Sequence, residues 1–236
     1  MFLSIVIPAY NEEKYLPRCL ESLRAQNYPA KDFEIVVVDN ASTDATANIA
    51  RRFGARVVYE PVKGIARARQ RGFEAARGEI IANTDADTVV PNNWLSRIAR
   101  HFGRDPHLGG VYGPVYWFDG QLHEELIMRY PVTWALSVSN RLKRSWWIGS
   151  NWAVRAEVFW RVQGFEDFAA DGLIADDWYI STRVSRVARV LFDPDLAVYS
   201  SARRAREGSN FLRRMALSAM RVMVLGQPAL PTPDIR

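Results

Sequence analysis

The sequence predicts a single α/β domain with a Rossmann-like, mainly parallel central sheet flanked by helices. Short, continuous apolar runs recur along the first half of the chain, and each is followed by a segment with helical spacing of its apolar residues. Continuous apolar runs indicate strands that are buried on both faces, which is typical of parallel sheets covered by helices. The length of 236 residues and the hydrophobic content of 48% suit one such domain.

Apolar runs in the first half predict strands at 2–7, 34–39, 56–59 and 79–87. The segment after the first run has apolar residues at i, i+3, i+4 and i+7, which form one helical face: Leu16, Cys19, Leu20 and Leu23. Cys19 is therefore predicted to be a core residue. The next two helices are predicted to end at about Phe53 and to span 65–77.

The pattern changes after about residue 105. The segment 109–118 predicts a strand, and 121–146 is predicted to be mostly helical although it is rich in aromatic residues and arginine. An amphipathic helix is predicted at 175–187, and a last helix at 209–225 precedes a proline-rich tail. Because no repeat, low-complexity tract or clear linker interrupts the chain, the whole of it is predicted to form one domain.

The net charge is +5, from 31 Lys and Arg against 26 Asp and Glu. Only four of the basic residues are lysines, so the basic side is almost all arginine. Arginine binds phosphate and carboxylate oxygens two at a time, which favours a phosphate-bearing partner. A coding bias towards arginine explains the number of arginines equally well. Only the positions of particular arginines can decide between these two explanations.

The single cysteine and the three histidines restrict the chemistry. One cysteine cannot form an intrachain disulfide, and the scattered histidines exclude a structural zinc site, so a reduced, cytoplasmic protein is expected. No run reaches the roughly 18 apolar residues of a membrane span, and the first residues lack the basic start of a signal peptide. A protein that is neither secreted nor integral is expected, and peripheral attachment at the inner face of the membrane stays open.

Acidic residues follow the strand-like runs directly. Asp39 ends the second run, and Asp85 and Asp87 end the fourth. The carboxyl ends of parallel strands meet at one edge of a sheet, where ligands of such folds bind, so these carboxylates are expected to share that edge. Carboxylates at i and i+2 can hold Mg²⁺ or Mn²⁺, which in turn binds a diphosphate. A solvated turn explains an isolated Asp-x-Asp at least as well.

Five segments form an ordered set: SIVIPAYNEEKYLPRCLESL, EIVVVDNASTDAT, GIARARQRGFEAARGEIIANTDAD, GSNWAVRAEVFWRVQGF and ADDWYISTRV. In this order and at these spacings they resemble the family 2 inverting glycosyltransferases, which have the GT-A fold. The resemblance covers about residues 2–200. It implies a metal-dependent transferase that uses Mn²⁺ or Mg²⁺ and moves a sugar from a nucleotide-sugar donor to a hydroxyl acceptor in one displacement.

The change of pattern near residue 105 indicates two functional halves within the single domain, 1–236. The nucleotide-binding half would span 1–105 and the acceptor and catalytic half 106–205. A C-terminal helix with its tail would occupy 206–236.

The donor site implied by the resemblance has three parts. The segment expected to lie against the base and ribose consists of Pro8, Ala9, Tyr10, Asn11 and Glu12. Asp39 would accept hydrogen bonds from the base, and Arg69 would lie near the nucleotide, with Gln70 in place of the family's asparagine. Asp85 would face the nucleotide, and Asp87 would bind the metal ion.

The pair Asp176-Asp177 matches the acidic pair of the family that ends in the catalytic base, so Asp177 is the expected base. Independently, inverting transfer needs a carboxylate that takes the proton of the acceptor hydroxyl, and it needs no enzyme nucleophile. The alternative is that both aspartates only stabilise the start of the following helix. The two explanations are compatible.

The acceptor side is expected to comprise Gly149, Ser150, Asn151 and Asp176. The glycine permits close approach of the backbone, and the polar pair after it can bind sugar hydroxyls. The tryptophans that flank the loop could stack on a sugar ring or could be core residues: Trp146, Trp147 and Trp152.

Arg203 and Arg204 follow a short strand where many relatives have a metal-binding histidine. Arginines can neutralise a leaving diphosphate in place of that histidine, and the alternative is that both are exposed, solubilising residues. The helix at 209–225 has an apolar and a basic face, which suits an anionic lipid surface, although packing on the domain is the commoner use of such a helix.

For the donor, a UDP-sugar is favoured over a GDP-sugar, and the acceptor is a glycan, a small molecule or a lipid-linked molecule. Two other functions stay open. A nucleotidyltransferase acting on sugar phosphates usually has a Gly-rich basic loop after the first strand, where this chain has PAYNEE. A non-catalytic basic module that binds nucleic acid or membrane predicts interleaved arginine and aromatic patches without ordered acids at strand ends. The acids at 39, 85, 87 and 177 argue against such a module, so no nucleic-acid partner is expected.

Overall fold

The computed structural model describes residues 1–166, Phe168, 175–203, Leu217 and Arg221. Within these residues the strands are β1 (Leu3–Ala9), β2 (Phe33–Asp39), β3 (Arg56–Tyr59), β4 (Ile80–Asn83), β5 (Thr88–Val89), β6 (Leu108–Tyr112), β7 (Val115–Trp117), β8 (Trp152–Arg155), β9 (Arg189–Phe192) and β10 (Val198–Ser200). The helices are α1 (Leu16–Arg24), α2 (Thr46–Arg52), α3 (Ile65–Ala75), α4 (Trp94–Arg104), α5 (Leu122–Ile127), α6 (Thr133–Arg141), α7 (Ala156–Arg161) and α8 (Asp176–Val187). A 3-10 turn covers Ala30–Asp32, and a π-helical turn covers Met128–Val132.

Across the described ranges, the main sheet has seven strands in the order β3-β2-β1-β4-β8-β6-β9. The first four are mutually parallel, β8 is antiparallel to both of its neighbours, and β9 is parallel to β6. The predicted mainly parallel sheet is therefore confirmed, with β8 as a reversed strand inside it. A smaller sheet consists of β5, β10 and β7.

The side chains of β1 explain why the first strands are continuous apolar runs. Ile5 and Ile7 pack in the cluster that involves α1, α2 and α4, whereas Val6 packs on the opposite face with α3, α7 and α8. All three side chains are fully buried. The core face predicted for α1 is confirmed, because Cys19 is buried in the first of these clusters.

Helix α3 packs closely on the sheet through a glycine. A Cβ atom on Gly72 would lie 2.4 Å from Cγ1 of Val6 and 2.8 Å from Cγ2 of Val38, so a larger residue would push the helix away. Arg69 lies about one turn earlier in the same helix and faces the sheet, with 2% of its surface exposed. The glycine contact therefore fixes the position from which Arg69 reaches the site.

The strand predicted over 109–118 is wrong, because the chain there is divided between two sheets. Residues up to Tyr112 belong to the main sheet and those from Val115 to the small one. The break falls at Gly113, where a Cβ atom would lie 2.0 Å from the carbonyl oxygen of Leu196. A backbone contact this close requires glycine, and it redirects the chain out of the main sheet.

The later helical predictions have different outcomes. The segment predicted as mostly helical is helical from α5 through the π turn to the end of α6. The helix predicted at 175–187 is confirmed as α8. The helix predicted at 209–225 lies outside the described residues except for Leu217 and Arg221. Among the helices that the structure describes, none combines the length and apolar character needed to cross a bilayer.

Candidate active site

The candidate site lies at the carboxyl edge of the parallel strands, where the acidic residues were predicted to lie. In the register of the sheet, Ala9 at the end of β1 is opposite Asp39 at the end of β2. β4 runs parallel to β1, so the loop that follows it carries Asp85 and Asp87 to this edge. One sheet edge therefore presents carboxylates from two strand ends.

The loops after β1 and β2 are bonded to each other. Asn11, at φ 52°, donates its backbone N–H to Oγ of Ser42 at 3.1 Å and accepts the N–H of Thr43 at Oδ1 at 2.8 Å. The backbone N–H of Ser42 also donates to Oδ1 of Asp39 at 3.1 Å. These bonds orient the Asp39 carboxylate and make the two loops one unit.

The residues predicted to contact the nucleotide differ in exposure. Pro8 and Ala9 are buried within β1, whereas Tyr10 is half-buried and Asn11 is exposed. The ammonium group of Lys63 lies 4.2 Å from the centroid of the Tyr10 ring. A ligand at this edge can therefore touch the side chains of Tyr10 and Asn11, while Pro8 and Ala9 form the strand beneath them.

Arg69 connects three distant parts of the chain beneath the site. Its guanidinium pairs with Asp176 at the start of α8 and with Oδ1 of Asp85 at 3.1 Å, and it donates to the carbonyl oxygen of Gly149 at 2.9 Å. Burial opposes the charge of this guanidinium, but the neighbouring carboxylates outweigh burial and raise its pKa. Arg69 is therefore charged and holds three site segments together.

The structure gives three of the predicted site residues internal partners. Arg69 is buried, and its guanidinium is directed to Asp176, Asp85 and the carbonyl oxygen of Gly149. Asp85 and Asp176, expected to face the donor and the acceptor, both direct a carboxylate oxygen to that guanidinium. Because the buried guanidinium of Arg69 binds both carboxylates, the role that the structure supports for Asp85 and Asp176 is to hold the segments of the site in position.

Asp177 lies in the first turn of α8, against the loop of Gly149. Its Oδ1 accepts the backbone N–H of Trp178 at 2.7 Å, and the backbone of Gly149 also bonds to the carboxylate. Burial, followed by the neighbouring charge of Asp176, raises the pKa of Asp177 to about 7, although the charge of Arg69 and these backbone bonds act in the opposite direction. A raised pKa suits a group that must accept a proton near neutral pH.

Arg203 lies inside the site between two acids. Its Nε donates to Oδ2 of Asp87 at 3.2 Å, and its Nη2 pairs with Glu12. The guanidinium also lies 4.2 Å from the centroid of the Tyr15 ring. Since only 24% of its side chain is exposed, the alternative of a solubilising surface arginine does not apply to Arg203. Arg204 lies outside the described residues.

Asp119 is a contributor to this region that the sequence analysis missed. Its carboxylate accepts the hydroxyl of Ser201 at 2.7 Å and the backbone N–H of Ala202 at 2.6 Å. These bonds fix the backbone directly before Arg203, which therefore reaches Asp87. A single aspartate in a loop has no pattern that would have identified it from the sequence.

The acidic residues at this sheet edge are suited to bind a divalent cation whose other ligands are the oxygens of a bound diphosphate. Within the described part of the chain, no three His, Cys, Asp or Glu side chains converge as a complete metal site. Mg²⁺ and Mn²⁺ bind hard oxygen ligands, and Mg²⁺ is usually bound by one or two carboxylates together with substrate phosphates. Asp87 offers such an oxygen at the correct sheet edge, and Arg203 competes for Oδ2 of the same carboxylate.

The two polar residues that follow Gly149 do not have the exposure expected of an acceptor site. Asn151 is fully buried: its Oδ1 accepts from Nε1 of Trp94 at 3.0 Å, and its Nδ2 donates to the carbonyl oxygens of Pro114 and Leu196 at 3.0 and 2.5 Å. Its side chain therefore holds the fold together, and the predicted contact with a sugar is corrected. Ser150 is also buried, with 4% exposure.

The tryptophans around this loop are core residues. Trp147 and Trp152 are 0% exposed and Trp146 is 7% exposed. The rings of Trp147 and Trp152 pack against each other with centroids 4.9 Å apart. Stacking of these rings on a sugar is thereby excluded in this arrangement, since no ring face is accessible.

Comparison with known sequences agrees with the resemblance found in the five sequence segments. A model of glycosyl transferase family 2 matches residues 4–162, which is more than half of the chain. Validoxylamine A glucosyltransferase of Streptomyces hygroscopicus subsp. limoneus is 32% identical over 205 residues, which are 72% of this chain and 45% of that protein. Glycosyltransferase AglE of Haloferax volcanii is 36% identical over 102 residues, which are 41% of this chain and 34% of that protein.

A third relative is a dolichyl N-acetyl-alpha-D-glucosaminyl phosphate 3-beta-D-2,3-diacetamido-2,3-dideoxy-beta-D-glucuronosyltransferase of Methanococcus voltae. It is 29% identical over 123 residues, which are 48% of this chain and 38% of that protein. The chain therefore spans less than half the length of each of these relatives.

Solved structures share the fold over nearly the whole chain. The mannosyltransferase PcManGT from Pyrobaculum calidifontis, in complex with GDP-Man and Mn²⁺, has a TM-score of 0.70 and 24% identity, and the match covers 95% of this chain and 63% of that chain. TarS of S. aureus (residues 1–349), in complex with UDP-GlcNAc, has a TM-score of 0.68 and 20% identity, with 95% and 66% coverage. The predicted GT-A fold is confirmed by this likeness.

Proposed function

The chain belongs to glycosyltransferase family 2, and from that premise we propose that it moves a sugar from a nucleotide-sugar donor to a hydroxyl acceptor with inversion at the anomeric carbon. The position and the raised pKa of the Asp177 carboxyl group support this proposal most directly. The half-buried side chain of Asp177 lies against Gly149, and its pKa is raised to about 7. Family membership argues against both a nucleotidyltransferase and a non-catalytic basic module.

In the proposed reaction, the acceptor oxygen attacks the anomeric carbon while its proton passes to Asp177. The bond between the anomeric carbon and the diphosphate oxygen breaks on the opposite face of the sugar, and the nucleoside diphosphate leaves with that electron pair. A single displacement inverts the anomeric centre. The proton on Asp177 returns to water, so the enzyme is unchanged at the end of the cycle.

The negative charge of the leaving group would be balanced at Asp87 and Arg203. Asp87 would hold Mn²⁺ or Mg²⁺ jointly with the donor, and the bound ion supplies positive charge to the diphosphate. Arg203 adds a fixed positive charge from its position between Asp87 and Glu12. Tyr10, Asn11 and Asp39 would receive the nucleoside.

For the donor we favour a UDP-sugar, because two different enzymes of this fold have solved structures with UDP-GlcNAc and UDP-glucose. A GDP-sugar is the alternative, because another structure of this fold contains GDP-Man. For the acceptor we favour a lipid-linked molecule, because one relative acts on a dolichyl phosphate sugar according to its name. Both choices are open to direct measurement.

The donor is best identified by thermal shift, because a ligand that binds only the folded state raises the melting temperature. We expect one nucleotide-sugar class to stabilise the protein, more strongly with Mn²⁺ than without it. In Asp87→Ala, most of the additional rise in melting temperature that Mn²⁺ provides should be lost. Asp195→Ala is the matched control, because that carboxylate is 76% exposed and lies outside the site. A flat response of the native protein to every donor would contradict the proposal.

The transfer rate is expected to rise with pH up to about 7 and then to level off. Below that pH Asp177 is protonated, so it cannot accept the acceptor proton, and the rate should fall about tenfold per pH unit. The measurement is kcat/KM between pH 5.5 and 8.5 under conditions in which chemistry limits the rate. A profile that stays level down to pH 5.5 would contradict a base whose pKa is close to 7.

The raised pKa of Asp177 also makes the free energy of unfolding depend on pH, which can be measured independently of activity. The pKa of Asp177 is above its ordinary value of 3.8, so the native state keeps a proton that the unfolded chain has already released. The stability that this proton contributes is complete below about pH 4 and is lost as the pH rises through about 7. Relative to Asp177→Asn, which cannot titrate, the free energy of unfolding of the native protein should fall between pH 5 and 8.

A further inference from the structure

The segment formed by α5, the π turn and α6 has an apolar outer face. Leu122, Leu126, Tyr130 and Trp134 are 73%, 46%, 64% and 65% exposed, and we call these residues the apolar stripe. The same segment packs on the fold through other residues, of which Met128 is 3% exposed and Leu136 is 0% exposed. The apolar stripe is therefore additional to the core-facing side of the helix.

The π turn keeps the apolar stripe on one side. Residues four apart in an α-helix advance by about 40° at each step, because the helix has 3.6 residues per turn. A π turn bonds residue i to i+5 and has more residues per turn, so it takes up part of this drift. The turn covers Met128–Val132, in the middle of the stripe. The three pieces therefore present a continuous apolar line to solvent.

A basic cluster follows the apolar stripe directly. Arg141, Lys143 and Arg144 are exposed after the end of α6, and Leu142 between them is 54% exposed. The acids of the same segment are engaged locally: Glu124 accepts the backbone N–H of Gln121 in a capping box, and Glu125 pairs with Arg129 at 2.9 Å. The segment therefore combines exposed apolar and aromatic side chains with an exposed, positively charged end.

We propose that the apolar stripe and the basic cluster dock on an anionic lipid membrane surface. Leucine and tryptophan on one side of a helix, with Lys and Arg beside them, are the features of a helix that lies in the membrane interface. Tyr130 and Trp134 suit the headgroup level, where amphipathic rings are favoured, and the basic cluster complements anionic headgroups. The apolar stripe lies in α5–α6, whereas the 209–225 segment predicted from the sequence lies outside the described residues apart from Leu217 and Arg221.

This surface is connected closely to the candidate base. Arg144 precedes Gly149 by five residues, a length of chain that spans at most about 18 Å. Gly149 lies against Asp177, since a Cβ atom on the glycine would be 3.7 Å from Oδ2 of that aspartate. Docking would therefore hold the base within a short distance of lipid headgroups. The docking itself does not depend on the proposed reaction, because it is measured without a donor.

The test is flotation of the full chain with vesicles of phosphatidylcholine alone or with added phosphatidylglycerol. The native protein is expected to float with the anionic vesicles. Leu126→Glu combined with Trp134→Glu should lower the bound fraction at least about tenfold, because two apolar side chains can no longer leave water. Tyr59→Glu combined with Val187→Glu is the matched control, since these residues are 58% and 43% exposed elsewhere, and it should bind as the native protein does.

Circular dichroism and the melting temperature of each variant establish that it is folded. Equal binding by the native protein and the folded stripe variant would overturn the proposal and assign the contact to another segment. Absence of native binding at every lipid composition would also overturn it. A concentration-dependent dimer that the stripe variant abolishes, without any vesicle binding, would instead make the apolar stripe an interface between two copies of the chain.

Discussion

Asp177→Asn is expected to lower kcat by about 10²- to 10⁴-fold while donor affinity stays within about twofold. The amide has nearly the same shape as the carboxylate but cannot accept the proton of the acceptor hydroxyl. Donor affinity should be spared, because the proposed donor residues lie at the ends of β1, β2, β4 and β10, outside helix α8 that carries Asp177. The measurements are steady-state kinetics and donor titration of the same preparation.

The variant should also be more stable than the native protein at pH 8. The raised pKa of Asp177 means that the folded site disfavours its charged form, so a neutral amide removes an unfavourable charge. Loss of activity together with a higher melting temperature distinguishes a catalytic carboxylate from one that only stabilises the helix start. Asp195→Asn is the control for the substitution itself. A rate within tenfold of the native rate would assign the base to another group.

Arg69→Met is expected to destabilise the fold by about 3–5 kcal/mol, which for a chain of this size corresponds to a fall of roughly 10 °C in melting temperature. Removal of the guanidinium leaves Asp85 and Asp176 close together in a buried site without their shared cation. It also removes the bond to the carbonyl oxygen of Gly149. Urea unfolding at pH 8 gives the free energy directly.

The same helix provides the control for this experiment. Arg71 is 52% exposed and pairs with Glu74 on the surface, so Arg71→Met should change stability by about 0.5 kcal/mol or less. Equal effects of the two substitutions would show that the buried ion pairs do not hold the site segments together.

Much of the fold could be predicted from the sequence because its signals are local. The four parallel strands and the helices between them follow from apolar runs and helical spacing within about 15 residues. The burial of Cys19 follows from the same spacing. The strand predicted over 109–118 failed because its break depends on a contact between Gly113 and Leu196, which are far apart in the chain.

The candidate site was predicted less completely, for the same reason. The acids at strand ends were identified because they directly follow buried strands. Asp119 was missed, and Asn151 was assigned to an acceptor although it is bonded to Trp94 in the core. A polar residue in a loop has the same local pattern whether it faces a ligand or completes the internal hydrogen bonds of the fold.

The sequence by itself determined the fold class, the order of the strands and helices in the first half, and the edge at which the carboxylates lie. Strand and helix patterns are short-range, and the carboxyl ends of parallel strands share one edge. Only the tertiary structure decided which charges pair. Arg69 meets an aspartate 107 positions away, and Arg203 meets Asp87 across 116 positions. A buried charge is stable only beside a partner, and which partner is available depends on the distant segments that the fold brings together.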